Sequence, residues 1–389
     1  MNGTMNNLLY KKSQVKISSL MIGLSLIITL LTIGVNIVNS QSPTNKSSIL
    51  SPLLQSENSS YPTNIAKGKP VVIDNVTINE NSTSLNTSSL QFQFKFKWGS
   101  IGTGNEEFRR PHDVAFDSKE FVYVTDRENN NVQKFTHNGS FVKAWGSRGS
   151  GNGQFVVPYS IGIDSKDRIY VVDRENHRIQ EFDTNGTFLN KWGNDRGNSD
   201  KQFNRPEDIA FSSNAIYVTD TGNDRVMKFD KNFTLITKWG SKGTGDGQFD
   251  HPHAIDVNSK GNVYVGELDR PGVQVFDSDG KFLKKWGSAG TGDGQFSIPQ
   301  EHLAVDKNDR VYIVDGDSNP RVQIFDINGQ FITKVGTKGT DDGQLRKPEH
   351  VSIDSEGNLF VVDRGNARMQ VFSPLNSTTS TTLNGVSND

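Results

Sequence analysis

The fold can be deduced from residues 158–193, which read PYSIGIDSKDRIYVVDRENHRIQEFDTNGTFLNKWG. On either side of this stretch the same order recurs: a proline, an apolar segment, a Tyr-Val-x-Asp strand, a polar loop, a further strand, an Asn-Gly or Asp-Gly turn and a Phe-x-x-x-Trp-Gly ending. The tryptophans lie 47 residues apart, and a valine continues the series after 49 residues: Trp98, Trp145, Trp192, Trp239, Trp286 and Val335. A four-strand repeat of about 40–50 residues is typical of a β-propeller blade.

Each unit contains four short segments in which β-branched and aromatic residues alternate with polar ones, and this pattern indicates strands. Hairpin turns are predicted at Asn138-Gly139, Asn185-Gly186, Asp279-Gly280 and Asn328-Gly329, because tight turns need residues that accept a positive φ. No amphipathic helical pattern competes with this interpretation. The predicted fold class is therefore all-β.

The number of blades follows from the start and the end of the repeat. Six units begin at a proline: Pro111, Pro158, Pro206, Pro252, Pro299 and Pro348. A segment of the fourth-strand type, Phe94–Trp98, precedes the first complete unit, and the last unit stops at Phe372 without a fourth strand. Both are explained if Phe94–Trp98 completes the last blade, since closure removes two exposed sheet edges. We therefore predict a six-bladed β-propeller over residues 91–372, with an N-terminal strand that closes the last blade.

The first forty residues differ from the rest of the chain. Lys11, Lys12 and Lys16 precede a stretch without charges from Ile17 to Val38. A signal peptide has this order, but the apolar stretch also approaches the about 20 residues that a membrane-spanning helix needs. Residues 1–40 are interpreted as a signal peptide or a transmembrane anchor. The basic flank predicts that the remainder lies outside the cytoplasm, either anchored to the membrane or secreted.

Residues 41–90 are rich in Ser, Asn and Thr, which predicts a disordered stalk, and the tail at 373–389 is similar. Glycosylation sequons in the stalk suggest a glycoprotein, although such a composition also generates sequons by chance; they begin at Asn45, Asn58, Asn75, Asn81 and Asn86. Turn chemistry explains the further sequons at Asn138, Asn185 and Asn232.

The composition excludes several classes of function. The chain has no cysteine, which excludes disulfides, thiol catalysis and the zinc modules of ubiquitin ligases. Residues 91–372 contain 36 basic and 40 acidic residues. A nucleic-acid surface needs a strong positive footprint, so nucleic acid is not expected as a partner. We expect a monomer.

Unusual polar residues recur where the inner strand of each blade begins. The first set is His112, Tyr159, Glu207, His253, Glu301 and Glu349, and the residues that follow them are Asp113, Ser160, Asp208, Ala254, His302 and His350. In a propeller these positions surround the mouth of the central channel. Imidazole and carboxylate groups suit a divalent metal such as zinc or calcium, so the candidate metal ligands are His112, Glu207, His253, Glu301, His302, Glu349 and His350. The alternative is that these groups bind the next blade and channel water.

Acidic and basic residues also recur at the end of the second strand. An Asp or Glu closes this strand in every blade, and an arginine follows in four of them, at Arg178, Arg225, Arg321 and Arg368. An Asp–Arg pair that braces the loop is expected. Directly after the acidic residue, Arg127, Arg174 and Arg364 occupy the same place in adjacent blades. Together with Tyr159 they are candidate ligand-binding residues for a carboxylate, a phosphate or an acidic glycan; the alternative is three solvated arginines.

Four motifs of the repeat, at 111–117, 122–126, 178–183 and the Phe-x-x-x-Trp-Gly endings, resemble the NHL repeat family. The resemblance covers residues 91–372 and implies a six-bladed β-propeller. The family includes RNA- and protein-binding propellers of tripartite-motif proteins, bacterial and archaeal surface proteins, and the lyase that completes peptide amidation. The Pro-His pairs at 111–112 and 252–253 are similar to those of that lyase, for which the resemblance implies a zinc ion held by three such histidines in alternate blades.

The sequence departs from the lyase pattern at two places. The alternate-blade set that contains His112 continues with Glu207 and Glu301, so the three-histidine pattern is absent. The position of the lyase's catalytic tyrosine holds Arg127, Arg174, Thr221, Leu268, Gly316 and Arg364. We therefore assign no catalytic residue and expect an extracytoplasmic module that binds a protein, peptide or glycan through its loop-rich face. The alternative is a metal-dependent lyase or hydrolase at the channel mouth, similar to the peptidyl-hydroxyglycine amidating lyase.

Overall fold

The computed structural model describes residues 71–73, 76–78, 86–87, 90–193, 195–268, 270–297, 300–316 and 318–375. The predicted leader at 1–40, most of the predicted stalk and the tail from residue 376 lie outside the described residues. Within the described part of the chain, no helix combines the length and the apolar character needed to cross a membrane.

Six antiparallel sheets of four strands form the blades of a β-propeller, in agreement with the prediction. Blade 1 contains Pro111–Phe116, Val122–Asp126, Asn131–Phe135 and Phe141–Trp145. Blade 2 contains Pro158–Ile163, Ile169–Asp173, Arg178–Phe182 and Phe188–Gly193. Blade 3 contains Ile209–Phe211, Ile216–Asp220, Arg225–Phe229 and Leu235–Trp239. Blade 4 contains Pro252–Val257, Val263–Glu267, Val273–Phe276 and Phe282–Trp286, and blade 5 contains Gln300–Val305, Val311–Asp315, Arg321–Phe325 and Phe331–Val335.

Blade 6 combines strands from both ends of the repeat region. Its first three strands are Pro348–Ile353, Leu359–Asp363 and Arg368–Pro374, and its fourth is Phe92–Trp98. In this antiparallel pair Trp98 lies opposite Met369, and Phe92 lies opposite Pro374. The predicted closure of the ring by an N-terminal strand is confirmed.

Short elements connect the blades. Two-residue parallel pairs join Ser100–Ile101 to Glu107–Phe108, Ser288–Ala289 to Gln295–Phe296, and Thr337–Lys338 to Gln344–Leu345. Single 3-10 turns follow the second strands of blades 2, 3 and 6, at Arg174–Asn176, Thr221–Asn223 and Arg364–Asn366. A separate three-stranded sheet consists of Val71–Ile73, Val76–Ile78 and Asn86–Thr87.

The burial of the strands explains their composition. The second and third strands of blade 2, Ile169–Asp173 and Arg178–Phe182, are buried at every position, because neighbouring blades cover both of their faces. The fourth strand, Phe188–Gly193, lies at the rim of the ring and is partly exposed throughout. Tyr123 and Phe182 belong to one of the apolar clusters that join adjacent blades. The almost continuous apolar sequence of Ile169–Asp173 is expected where a sheet is covered on both faces, whereas the buried polar residues of Arg178–Phe182 are satisfied by hydrogen bonds such as that of Arg178 to Asp173.

The Asp–Arg pairs predicted from the repeat are present. Arg178 Nε donates to Asp173 Oδ2 at 2.8 Å, and the same guanidinium donates to the carbonyl oxygen of Ser150 at 2.7 Å. Equivalent pairs occur in three further blades, Arg225–Asp220, Arg321–Asp315 and Arg368–Asp363. Each arginine therefore ties the loop between two blades to the second strand, which gives it a structural role.

The regularly spaced tryptophans pack on the hairpin glycines of the following blade. A Cβ atom at Gly280 would lie 2.5 Å from the ring of Trp239, and Gly280 has a φ of +85°. The same contact occurs at Gly139–Trp98, Gly186–Trp145 and Gly329–Trp286. In blade 3, Phe233 replaces the glycine and stacks on Trp192 with ring centroids 3.9 Å apart. The tryptophans recur every 47 residues because each of them makes an equivalent contact with the following blade.

We predict that Gly280→Ala destabilises the fold by about 1–3 kcal/mol more than Gly261→Ala, because the new methyl group overpacks Trp239. Gly261 is a matched control: its φ of +81° imposes the same backbone strain, but its Cβ would meet only the Ser278 Cβ, at 4.0 Å. Chemical denaturation of the two variants measures the difference. Equal destabilisation would show that the Trp–Gly contact does not join the blades.

Candidate functional site at the channel mouth

The structure brings the first set of polar residues together where the first strands begin. His112, Tyr159, Glu207, His253, Glu301 and Glu349 are all buried, with exposed fractions between 3 and 7%. Polar groups at this depth require partners. Their contacts therefore decide what the channel mouth can do.

His112 faces its neighbours on both sides of the ring. Its Nδ1 donates to the carbonyl oxygen of Tyr159 at 2.9 Å, and its Nε2 lies 3.5 Å from Glu349 Oε2 without a hydrogen bond. Burial lowers the pKa of His112 well below its ordinary value, and the positive charge of Arg127 acts in the same direction. The imidazole is therefore neutral at neutral pH, and its buried, unprotonated Nε2 lies beside Glu349.

A series of side-chain contacts links Tyr159 with His253, Glu207 and Arg174. The Tyr159 hydroxyl lies 3.1 Å from His253 Nε2, which is 3.8 Å from Glu207 Oε2. Glu207 in turn accepts a hydrogen bond from Arg174 Nε at 2.7 Å. Burial and the charge of Glu207 raise the pKa of Tyr159 well above its ordinary value. Tyr159 is therefore a neutral phenol and not a phenolate nucleophile or base.

The second set of polar residues connects neighbouring blades and, through His302, also connects blade 5 with blade 3. Asp113 Oδ2 accepts the backbone N–H of Ile161 at 2.8 Å, and Asp208 Oδ2 accepts that of Ile255 at the same distance. His350 Nε2 lies 2.7 Å from Asp113 Oδ1. His302 Nε2 lies 3.4 Å from Asp208 Oδ2. The carboxylates of Asp113 and Asp208 therefore each bind the backbone of the next blade and contact a histidine.

Four of the seven candidate metal ligands form two His–Glu pairs. His112 lies beside Glu349 and His253 beside Glu207, whereas His302 and His350 contact the aspartates of the second set. Metal binding at the mouth stays a prediction. Within the described residues, a set of three donor atoms within 4.8 Å of one another occurs elsewhere, at Glu120, His137 and Asp354. The sequence analysis did not single out this set.

The three candidate arginines have different surroundings. The guanidinium of Arg127 lies 4.7 Å from the ring centroid of Tyr159. The guanidinium of Arg174 lies 5.3 Å from the same centroid and also donates to Glu207. Arg364 forms an ion pair with Glu349. Among the described residues, no carboxylate oxygen lies within 4 Å of the Arg127 guanidinium. Arg127 is thus the arginine of the three whose charge is not neutralised by a direct ion pair.

Arg110 adds to this positive region and was missed by the sequence analysis. Partial burial lowers its pKa, as do the charges of Arg127 and Arg364. Its closest carboxylate oxygen, on Glu128, is 3.9 Å away. A signal for it existed, because a basic residue also precedes the first strand in three other blades, at Arg205, His251 and Lys347.

A groove continues from the mouth over blades 2 to 4. It begins at Arg174 and Glu207, and its further lining includes Arg196, Arg205 and His251. Arg196 is exposed, whereas Arg205 is engaged by Glu175 at 3.1 Å. Basic side chains thus extend from the channel mouth along one side of the face.

We predict that His302 makes the fold less stable in acid. Burial and the charge of His350 lower its pKa to about 4, so the unfolded chain binds this proton below about pH 6.5 and the folded chain does not until about pH 4. The free energy of unfolding should fall by about 2 kcal/mol between pH 7 and 4.5 through this group. His302→Gln should flatten the profile, and the exposed His251→Gln should not. Denaturation of the three proteins at both pH values tests this, and parallel profiles would contradict it.

Comparisons with known proteins agree with the geometry. A family model described as a 6-bladed beta-propeller matches residues 109–195, and the NHL repeat model matches residues 203–229 and 345–372. No curated protein matches the sequence significantly.

Two solved structures share the fold at low identity, and a third has a lower TM-score. A protein of unknown function from Bacteroides thetaiotaomicron has a TM-score of 0.58 and 17% identity, over 76% of this chain and 78% of that one. A gluconolactonase from Xanthomonas campestris has a TM-score of 0.52 and 14% identity, over 70% and 88%. A virginiamycin B lyase from Staphylococcus aureus has a TM-score of 0.48 and 10% identity, over 73% and 99%. Together with the six closed blades, the sequence matches show that the chain is an NHL-repeat six-bladed β-propeller.

Proposed function

We propose that the chain is a binding protein whose channel-mouth face captures a peptide, protein or glycan through a carboxylate or another anionic group. The observation that carries this proposal is Arg127, which stacks on Tyr159 at 4.7 Å and has no carboxylate within 4 Å among the described residues. A planar guanidinium supported by an aromatic ring is suited to bidentate binding of a carboxylate.

The surroundings of Arg127 support an anionic ligand. Arg110 and Arg364 place further positive charge nearby, as the lowered pKa of Arg110 indicates. In the groove that continues from the mouth, Arg196 is exposed and has no ion pair among the described residues, whereas Arg174 and Arg205 are paired with Glu207 and Glu175. Positive charge that is not paired raises the local concentration of an anionic ligand.

A metal-dependent lyase or hydrolase is the second candidate. The observation in its favour is His112, whose neutral imidazole places an unprotonated Nε2 3.5 Å from Glu349 Oε2. The neutral phenol of Tyr159 does not supply a base for such a reaction. Metal analysis of the purified protein separates the two candidates, because a stoichiometric ion that His112→Ala removes would favour the enzyme.

The binding proposal predicts a specific loss of affinity. Isothermal titration with polygalacturonate and with a poly-glutamate peptide should show salt-dependent binding, and neutral dextran should not bind. Arg127→Gln should weaken binding about tenfold or more, since a hydrogen bond to a charged group contributes about 1.5–3 kcal/mol. Lys260→Gln is the matched control, because it removes one exposed positive charge at the opposite ends of the strands. Equal affinities of the two variants, or binding of dextran, would contradict the proposal.

We also propose that the propeller acts outside the cytoplasm as a monomer, either anchored by residues 1–40 or secreted. The support is the order of the basic flank and the apolar stretch Ile17–Val38 in the sequence. Protease added to intact cells should digest an anchored propeller, or the culture medium should contain a secreted one. A chain that is protected in intact cells and digested only after lysis would exclude this location.

A further inference from the structure

A second polar cluster lies where blades 6 and 1 meet, at the opposite ends of the strands from the channel mouth. Glu120 follows the first strand of blade 1, His137 lies in its last turn, and Asp354 follows the first strand of blade 6. His137 Nε2 is 2.9 Å from Asp354 Oδ2 and 3.8 Å from Glu120 Oε2. Three donor atoms of the types that bind divalent cations thus converge on one point.

The environment of Asp354 differs from that of its equivalents in other blades. In blades 1, 2 and 5 a tyrosine hydroxyl of the second strand donates to the equivalent aspartate; the pairs are Tyr123–Asp117, Tyr170–Asp164 and Tyr312–Asp306, at 2.8, 3.4 and 3.0 Å. Blade 6 has Phe360 at this position, which cannot donate. Asp354 Oδ2 instead accepts a hydrogen bond from Asn358 Nδ2 at 2.5 Å and meets His137 Nε2 on its other side.

Glu120 is a second departure from the repeat. The equivalent residues of blades 2 and 5, Asp167 and Asp309, each accept a backbone N–H and a hydroxyl from a serine of the preceding blade. Glu120 has a longer side chain, and its Oε2 is buried without a hydrogen-bond partner. A buried carboxylate oxygen without a donor is costly unless a cation compensates it.

His137 occupies a turn position that varies between blades. The equivalent positions of the next four blades hold Thr184, Lys231, Ser278 and Ile327. The described part of the chain thus places a histidine of blade 1 within 4 Å of both carboxylates at this junction. The change from tyrosine to Phe360 and the change from aspartate to Glu120 leave these carboxylates without the tyrosine and serine partners found in blades 2 and 5.

We propose that Glu120, His137 and Asp354 form a binding site for a divalent transition-metal cation, with Zn²⁺ as the best match. One imidazole nitrogen and two carboxylate oxygens are ligands that Zn²⁺ accepts, and water completes the coordination. The backbone N–H groups of Glu356 and Asn358 donate to Asp354 Oδ1 and hold the carboxylate in place, as hydrogen bonds to metal-binding carboxylates commonly do. The cation displaces the proton that His137 Nε2 otherwise shares with Asp354.

The site would reinforce the closure of the ring. His137 and Asp354 are 217 residues apart in the sequence, and a shared cation would bind blade 1 to the C-terminal strands of blade 6. A ligand that binds only the folded state stabilises it by mass action. The proposal therefore concerns a structural cation and does not depend on the function proposed for the channel mouth.

Thermal unfolding of the purified full-length chain tests the proposal. After treatment with EDTA, addition of Zn²⁺ alone should raise the Tm saturably, by about 5 °C when Zn²⁺ reaches about 100 times its Kd. His137→Gln and Glu120→Gln should abolish the shift. Co²⁺ should show ligand-field bands of a bound ion in the wild type, and His137→Gln should remove them, which gives a readout independent of stability.

Two control variants make the result specific. His251→Gln removes an exposed histidine beside Asp250, 3.4 Å away, and should leave the shift unchanged. His112→Gln alters the channel mouth and should also leave it unchanged. The proposal is overturned if Zn²⁺ gives neither a saturable shift nor bound Co²⁺ bands in the wild type. It is also overturned if the shift survives in His137→Gln or is lost in His112→Gln, which would place the ion at the mouth.

Discussion

The ring depends on the pairing of Phe92–Trp98 with Arg368–Pro374. This pair is the point at which the two ends of the repeat region are joined within one sheet, and it covers the edge that the third strand, Arg368–Pro374, would otherwise expose. The closing strand also reaches the next blade, because Trp98 packs on Gly139 of blade 1. It therefore fixes blade 6 against blade 1, and with them the positions of His112 and Glu349 across the channel mouth.

Residues that repeat in every blade and residues that depart from the repeat have different roles here. The Asp–Arg pairs and the Trp–Gly contacts recur because each blade must be attached to its neighbour in the same way. Arg127, His137 and Phe360 differ from their equivalents or from the partners that those equivalents have. In a structure built from equal units, such departures are the positions at which function can be added without loss of the shared architecture.

The sequence was sufficient for the fold, because the spacing of the tryptophans and the position of Phe94–Trp98 define the blades and their closure. It also placed His112, Tyr159 and Glu207 at the channel mouth, since these positions follow from counting along equivalent strands. It did not distinguish Arg127 from Arg174, because the difference lies in whether a carboxylate of another blade is within reach.

The Glu120 site was beyond sequence reasoning for a related reason. Its ligands come from blades at opposite ends of the repeat region, and only ring closure brings them together. Phe360 was visible in the sequence, because the second strand of the last blade carries this phenylalanine where the second strands of the other five blades carry tyrosine. The significance of this change becomes clear only when Asp354 and His137 are seen beside it.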